Sequence, residues 1–219
     1  MSPNNTRGWK SGVGLVIFAA AYVAQAPLAD AADTKSAVPP GAVPCQACHG
    51  GHGEGRTAVN APRIAGQTAH YIEKQLRDFA SGTRENLVMG GIAKSLSDAD
   101  RAKVAAYYAS LSVPGVAGGA RPSAALAARG HELAVQGAEA RRVQACNNCH
   151  GPEGGGAGLS APYLAGQMAS YLASQLKSWQ QGTRRNDAGN LMASVATRLD
   201  DTDIAAVTAY YAGLGAAAP

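Results

Sequence analysis

The chain has 219 residues, of which 46% are hydrophobic and 16% charged, with a formal net charge of +4. That balance excludes a disordered tail and a membrane-filling protein, and so weak a charge is not a nucleic-acid footprint. The length accommodates one or two small domains.

The N-terminus carries Arg7 and Lys10, then an uncharged stretch from Ser11 to Ala26, then Pro27 and a small-residue site, Ala29-Asp30-Ala31. This pattern predicts a Sec-type signal peptide over 1–31, because the apolar stretch is shorter than the roughly 20 residues of a bilayer span. Export places the mature protein in the periplasm of a bacterium. No cysteine near the cut offers a lipid anchor and no later segment is apolar enough to span, which leaves only peripheral contact with a membrane. Removing 1–31 takes two cations and one anion with it, leaving a net charge of +3.

The remainder is one unit written twice. Cys45-Gln46-Ala47-Cys48-His49, Ala61-Pro62, Ala65-Gly66-Gln67, Tyr71, Gln75-Leu76, Gly82-Thr83-Arg84, Asn86, Met89, Leu96 and Tyr107-Tyr108 each have a counterpart. These are Cys146-Asn147-Asn148-Cys149-His150, Ala161-Pro162, Ala165-Gly166-Gln167, Tyr171, Gln175-Leu176, Gly182-Thr183-Arg184, Asn186, Met192, Leu199 and Tyr210-Tyr211. The offset is 101 at the cysteines, 100 through the middle and 103 from the methionine onward, so the copies differ by short loop indels. Two tandem domains are predicted, over 32–112 and 123–219, joined by a Pro/Gly-rich linker over 113–122.

Within each copy the apolar residues recur at helical spacing. Tyr71, Ile72, Leu76 and Phe79 predict a helix ended by Gly82, and Tyr171, Leu172, Leu176 and Trp179 repeat it up to Gly182. A second helix opens at Ser97 or Asp98, where Ser97 and Asp100 cap exposed amides, and runs through Val104, Tyr107, Tyr108 and Leu111. Its twin starts near Asp200-Asp201 and uses Ile204, Val207, Tyr210 and Leu214. No useful alternating strand pattern occurs, so the predicted fold is all-α, and the glycine-rich stretches after His49 and His150 are loops. Each core is small enough for a large buried cofactor to help complete it.

All four cysteines fall in two Cys-x-x-Cys-His motifs. One helical turn sets both sulfurs to form thioethers with the two vinyl groups of a haem while the adjacent histidine ligates iron. A thioredoxin-like pair lacks its βαβ context, a zinc site needs further ligands, and a disulfide pair leaves the repeated histidine unexplained. Two covalently bound haem c groups are therefore predicted, on Cys45, Cys48 and His49 and on Cys146, Cys149 and His150. Their propionates bring the holoprotein close to neutral.

The distal ligand follows by elimination. Met89 is the sole methionine of the mature first copy, and the repeat pairs it with Met192, whereas Met168 falls opposite Thr68. His52, His70 and His131 have no counterparts and are read as surface or loop residues. His49 and Met89, and His150 and Met192, are thus the expected iron ligands. A neutral thioether favours ferrous iron and a filled sixth position excludes substrate, so each site is expected to carry electrons and catalyse nothing. Pro62 and Pro162 either offer a carbonyl to the second nitrogen of the histidine or shape their loops. Arg84 and Arg184 either face haem propionates or helix ends, or are solvated.

With CxxCHG, a Gly-rich loop, PxxAGQ, YxxxQL, GTRxN, Met and a closing AYYA helix in both halves, the chain resembles the cytochrome c4 family. The resemblance implies two class I cytochrome c domains related by a pseudo-twofold axis, with propionates near each other at the interface. It also implies transfer from a quinol-oxidising complex toward a terminal oxidase. The alternative is the cytochrome subunit of a periplasmic dehydrogenase. One departure stands out: Ser123 to Gln136 reads as a helix before the second haem motif, whereas the prolines from Val38 to Pro44 are expected to exclude a regular helix before the first.

Overall fold

The computed structural model describes residues 37–112, 122–158 and 161–214. The expected signal peptide and all of the expected linker except Pro122 lie outside them. The two copies belong to a single compact unit spanning 36–219. Among the described residues there are helices and isolated bridges but no strands.

The first copy contributes α1 (Val43–His49), α2 (Ala69–Ser81), α3 (Leu87–Lys94) and α4 (Asp98–Ser110). The second contributes α5 (Ala124–Val135), α6 (Asn147–His150), α7 (Ala169–Gln180), α8 (Leu191–Ala196) and α9 (Asp201–Gly213). α2 packs on α3 and α4; α7 packs on α8 and α9. The Thr68 hydroxyl accepts from the Tyr71 amide to start α2, which buries Ile72, Gln75, Leu76 and Phe79 at helical spacing and stops at Gly82. Ser97 caps α4 through the Asp100 amide, and Asp200 caps α9 through that of Asp203. Leu76, Phe79, Leu96, Val104 and Tyr108 form one core, and Leu133, Leu199, Ile204, Val207 and Tyr211 the other.

The halves differ in what covers their closing helix. In the second, α5 crosses α9 so closely that a Cβ on Gly130 would stand 2.3 Å from the Ala206 carbonyl oxygen, so only glycine allows the approach. Arg129 and Arg141 close this side by pairing with Asp203, whose side chain is buried. In the first half a 3-10 turn, Pro40–Ala42, takes the equivalent place, with Gly41 against Leu96 and Val104 and the Tyr108 hydroxyl donating to the Ala42 carbonyl at 3.3 Å.

The expectation that prolines exclude a regular helix over 38–44 needs correction at its end. α1 begins at Val43 with Pro44 in its first turn, where the amide that proline lacks has no helical partner to lose.

Candidate functional site

Cys45, Cys48 and His49 ride on α1, and Cys146, Cys149 and His150 occupy the turn of α6 with its N-cap. None of the four cysteines is tied up in a disulfide. Before a thioether forms, burial pushes the Cys45 thiol up and that of Cys146 up to about 11.

Each histidine is fixed by one hydrogen bond. His49 Nδ1 lies 2.8 Å from the Pro62 carbonyl oxygen and His150 Nδ1 lies 3.1 Å from that of Pro162. A carbonyl only accepts, so Nδ1 carries the proton and Nε2 keeps its lone pair. Burial lowers both histidine pKa values despite these bonds, which holds the rings neutral. The two prolines therefore supply carbonyls. The loops are set by Gly53, whose carbonyl accepts from the Ile64 and Ala65 amides, and by Gly154, which does the same for Leu164 and Ala165.

In the first half Met89 shares a pocket with this machinery. Pro44, Cys45, Cys48, His49, Val88, Met89 and Ile92 line it, an almost wholly apolar wall. Met89 enters α3 with its amide donating to Asn86 Oδ1 at 2.8 Å. Met192 enters α8, but its amide donates to Asp187 Oδ2, also at 2.8 Å, because the indel hands the capping role from Asn186 to Asp187. Met168 is buried at the start of α7, as befits a core residue. His52, His70 and His131 are exposed.

These features fit a haem c: thiols one turn apart, a neutral imidazole with a committed Nδ1 and, in the first half, an apolar pocket with a thioether in its wall. A zinc site fits poorly, since among the described residues no three His, Cys, Asp or Glu side chains cluster.

Between the halves lies a two-fold arrangement of polar groups. Arg84 and Arg184 are each only 6% exposed, which overturns the solvated reading. Arg84 lies over the Phe79 ring and donates to Gln75, Gln175 and Tyr171. Arg184 lies over the Trp179 ring and donates to Gln175, Gln75 and Tyr71. Burial alone would raise the Tyr71 pKa, but Arg184 and Arg84 beside it hold it below the ordinary value.

Gln67 and Gln167 form a second layer. The Gln67 side chain donates to the Tyr163 carbonyl at 2.7 Å and accepts from the Tyr163 amide at 2.9 Å. Gln167 does the same to Arg63, at 2.9 and 3.0 Å. Sequence reasoning attached no role to these glutamines; their only signal was an Ala-Gly-Gln repeated in register.

No helix among the described residues is long and apolar enough to cross a membrane. The sequence matches the cytochrome c family over 42–112 and again over 127–214. A thiosulfate dehydrogenase electron acceptor of Stutzerimonas stutzeri is 42% identical over 83% of this chain and 84% of its own. Reduced cytochrome c4 from Pseudomonas stutzeri superposes with a TM-score of 0.72 at 36% identity, over 79% of this chain and 94% of the other. Thiosulfate dehydrogenase from Marichromatium purpuratum gives a TM-score of 0.71 at 41% identity over 77% of this chain, which spans about a third, 36%, of that protein. Matched in both halves, and aligned with a cytochrome c4 along nearly its whole length, the chain belongs to the cytochrome c family, as a dihaem electron carrier of the cytochrome c4 type with two covalently bound haem c groups.

Proposed function

We propose that His49 and Met89 ligate one haem iron and His150 and Met192 the other, with thioethers to Cys45, Cys48, Cys146 and Cys149. The observation that carries this reading is the histidine geometry, in which Nδ1 is committed to a proline carbonyl and Nε2 is left as the base. Haem c supplies a one-electron iron couple. The thiols anchor it, burial keeps the imidazoles neutral, and Pro44, Val88 and Ile92 would offer the ring an apolar lining. The soft, uncharged thioether favours the reduced state. Side chains fill both axial positions, so the protein carries electrons and catalyses nothing itself.

The predicted signal peptide and the likeness to cytochrome c4 support a periplasmic carrier working from a quinol-oxidising complex toward a terminal oxidase. A second reading has a specific observation behind it: the relative named a thiosulfate dehydrogenase electron acceptor favours a dehydrogenase as the donor. Stopped-flow absorbance separates them. Rapid oxidation of the reduced holoprotein by membranes containing the native oxidase supports the carrier. Negligible oxidation there, together with fast reduction by thiosulfate and a thiosulfate dehydrogenase, replaces it with the dedicated acceptor.

A further inference from the structure

The two glutamines hold more than the interface. The Pro62 carbonyl that accepts from His49 Nδ1 and the Arg63 amide that donates to Gln167 Oε1 are the two ends of one peptide group. The same is true across the pseudo-twofold axis. The Pro162 carbonyl accepts from His150 Nδ1, and the Tyr163 amide of that peptide donates to Gln67 Oε1. Each proximal histidine is thus held by a peptide that a glutamine of the opposite half grips from behind. Gln67 and Gln167 are only 5% and 3% exposed, so water does not compete for these bonds.

We propose that Gln67 and Gln167 are crossed positioning residues, each setting the hydrogen-bond strength of the proximal histidine in the other half and thereby the potential of the other half's haem. The physical link is polarisation of the amide. A hydrogen bond given by a peptide N–H makes its own carbonyl a stronger acceptor. A stronger acceptor draws the Nδ1 proton and makes the imidazole a more basic ligand, which favours ferric iron. Gln167 therefore lowers the potential of the haem on His49, and Gln67 that of the haem on His150. Each glutamine also donates to the carbonyl of the residue it grips, which fixes the amide's orientation.

The inference rests on the axial ligands proposed above. Gln167→Met and Gln67→Met keep side-chain length but remove both contacts. Potentials are read by spectroelectrochemistry of the holoprotein, with each haem followed through its assigned methyl resonances. Q167M is expected to raise the potential of the haem on His49 and leave the other in place. Q67M is expected to raise the potential of the haem on His150 and leave that on His49 in place. Ser170→Ala removes a cross-half bond to the Asn60 side chain that touches neither histidine peptide, and is expected to move neither potential. Q167N, which withdraws the amide by one methylene, carries the same expectation as Q167M if that variant does not fold. Shifts confined to the mutated half, equal shifts of both haems, a shift in S170A as large, or no shift overturn the proposal. A wild-type protein lacking the long-wavelength Met–iron absorption overturns the ligand assignment instead; with that absorption intact, unmoved potentials overturn the crossed grip alone.

Discussion

Arg84 and Arg184 meet backbone to backbone as an isolated antiparallel bridge, and their side chains then diverge onto two aromatic rings while sharing Gln75 and Gln175 as acceptors. Two buried cations this close repel, and the glutamine acceptors and ring faces offset part of that cost, with the Asp78 carboxylate also acting on Arg84. Arg84→Met is expected to destabilise the holoprotein by about 2 kcal/mol, less than its charge-assisted bonds would suggest because the repulsion goes with them. Arg84→Lys is expected to recover little, since an ammonium cannot stack and reach Gln75, Gln175 and Tyr171 together. Denaturant unfolding of the two variants checks both statements.

Replacing Cys146 and Cys149 by alanine is expected to leave one covalent haem, on Cys45 and Cys48. Intact mass and haem staining after denaturing electrophoresis read the count directly. A variant that retains two covalent haems would contradict the assignment of thioethers.

Removing the thioether of Met89 or Met192 by alanine is expected to open one iron to exogenous ligands and lower its potential, with the other haem unchanged. Cyanide or imidazole titration followed by absorbance is the measurement. A wild-type spectrum in either variant would move the ligand elsewhere.

Gly130→Ala is expected to cost about 3 kcal/mol or more, because its Cβ has nowhere to go but into the backbone of α9. The loss should appear in the second half, as altered spectra of the haem on His150. A neutral substitution would mean that α5 does not cross α9 this closely in solution.

Acid should loosen the start of α9. The Asp203 amide donates to the Asp200 carboxylate, and this bond, with Arg141 beside it, holds the carboxyl below its unfolded pKa of about 3.9. A depressed folded pKa means the contribution is fully present above the unfolded value and is lost as pH falls through the folded one. Asp200→Asn, which keeps an accepting oxygen but does not titrate, is expected to flatten that limb of a stability–pH curve measured by thermal melting.

Much of this was legible in the sequence because it is local or repeated. The caps at Ser97 and Asp200, the apolar stripe of α2 and the α5 helix from Ser123 follow from residues within a few turns. The absence of a regular helix over most of 38–44 was legible from its prolines; only the start of α1 at Val43 was missed, because proline tolerance depends on where a helix starts. The helices that carry the methionines, α3 and α8, are too short to show a period. The arginine and glutamine layers join residues about a hundred positions apart, and no local pattern reports such a contact. Asp187 was hidden by alignment, since the capping carboxylate sits one residue past the asparagine that matches Asn86.

The reciprocity of Gln67 with Tyr163 and Gln167 with Arg63 is the geometry of an isologous homodimer, in which one patch meets its own copy. Written into a single chain, the encounter no longer depends on concentration, because the tether supplies a high local one. Symmetry is then free to decay away from the seam. A substitution in a homodimer appears twice, whereas here each half changes alone, and among the described residues one carries a helix over its closing segment where the other carries a three-residue turn. Two haem environments built on such halves are thereby free to differ, each without altering the other.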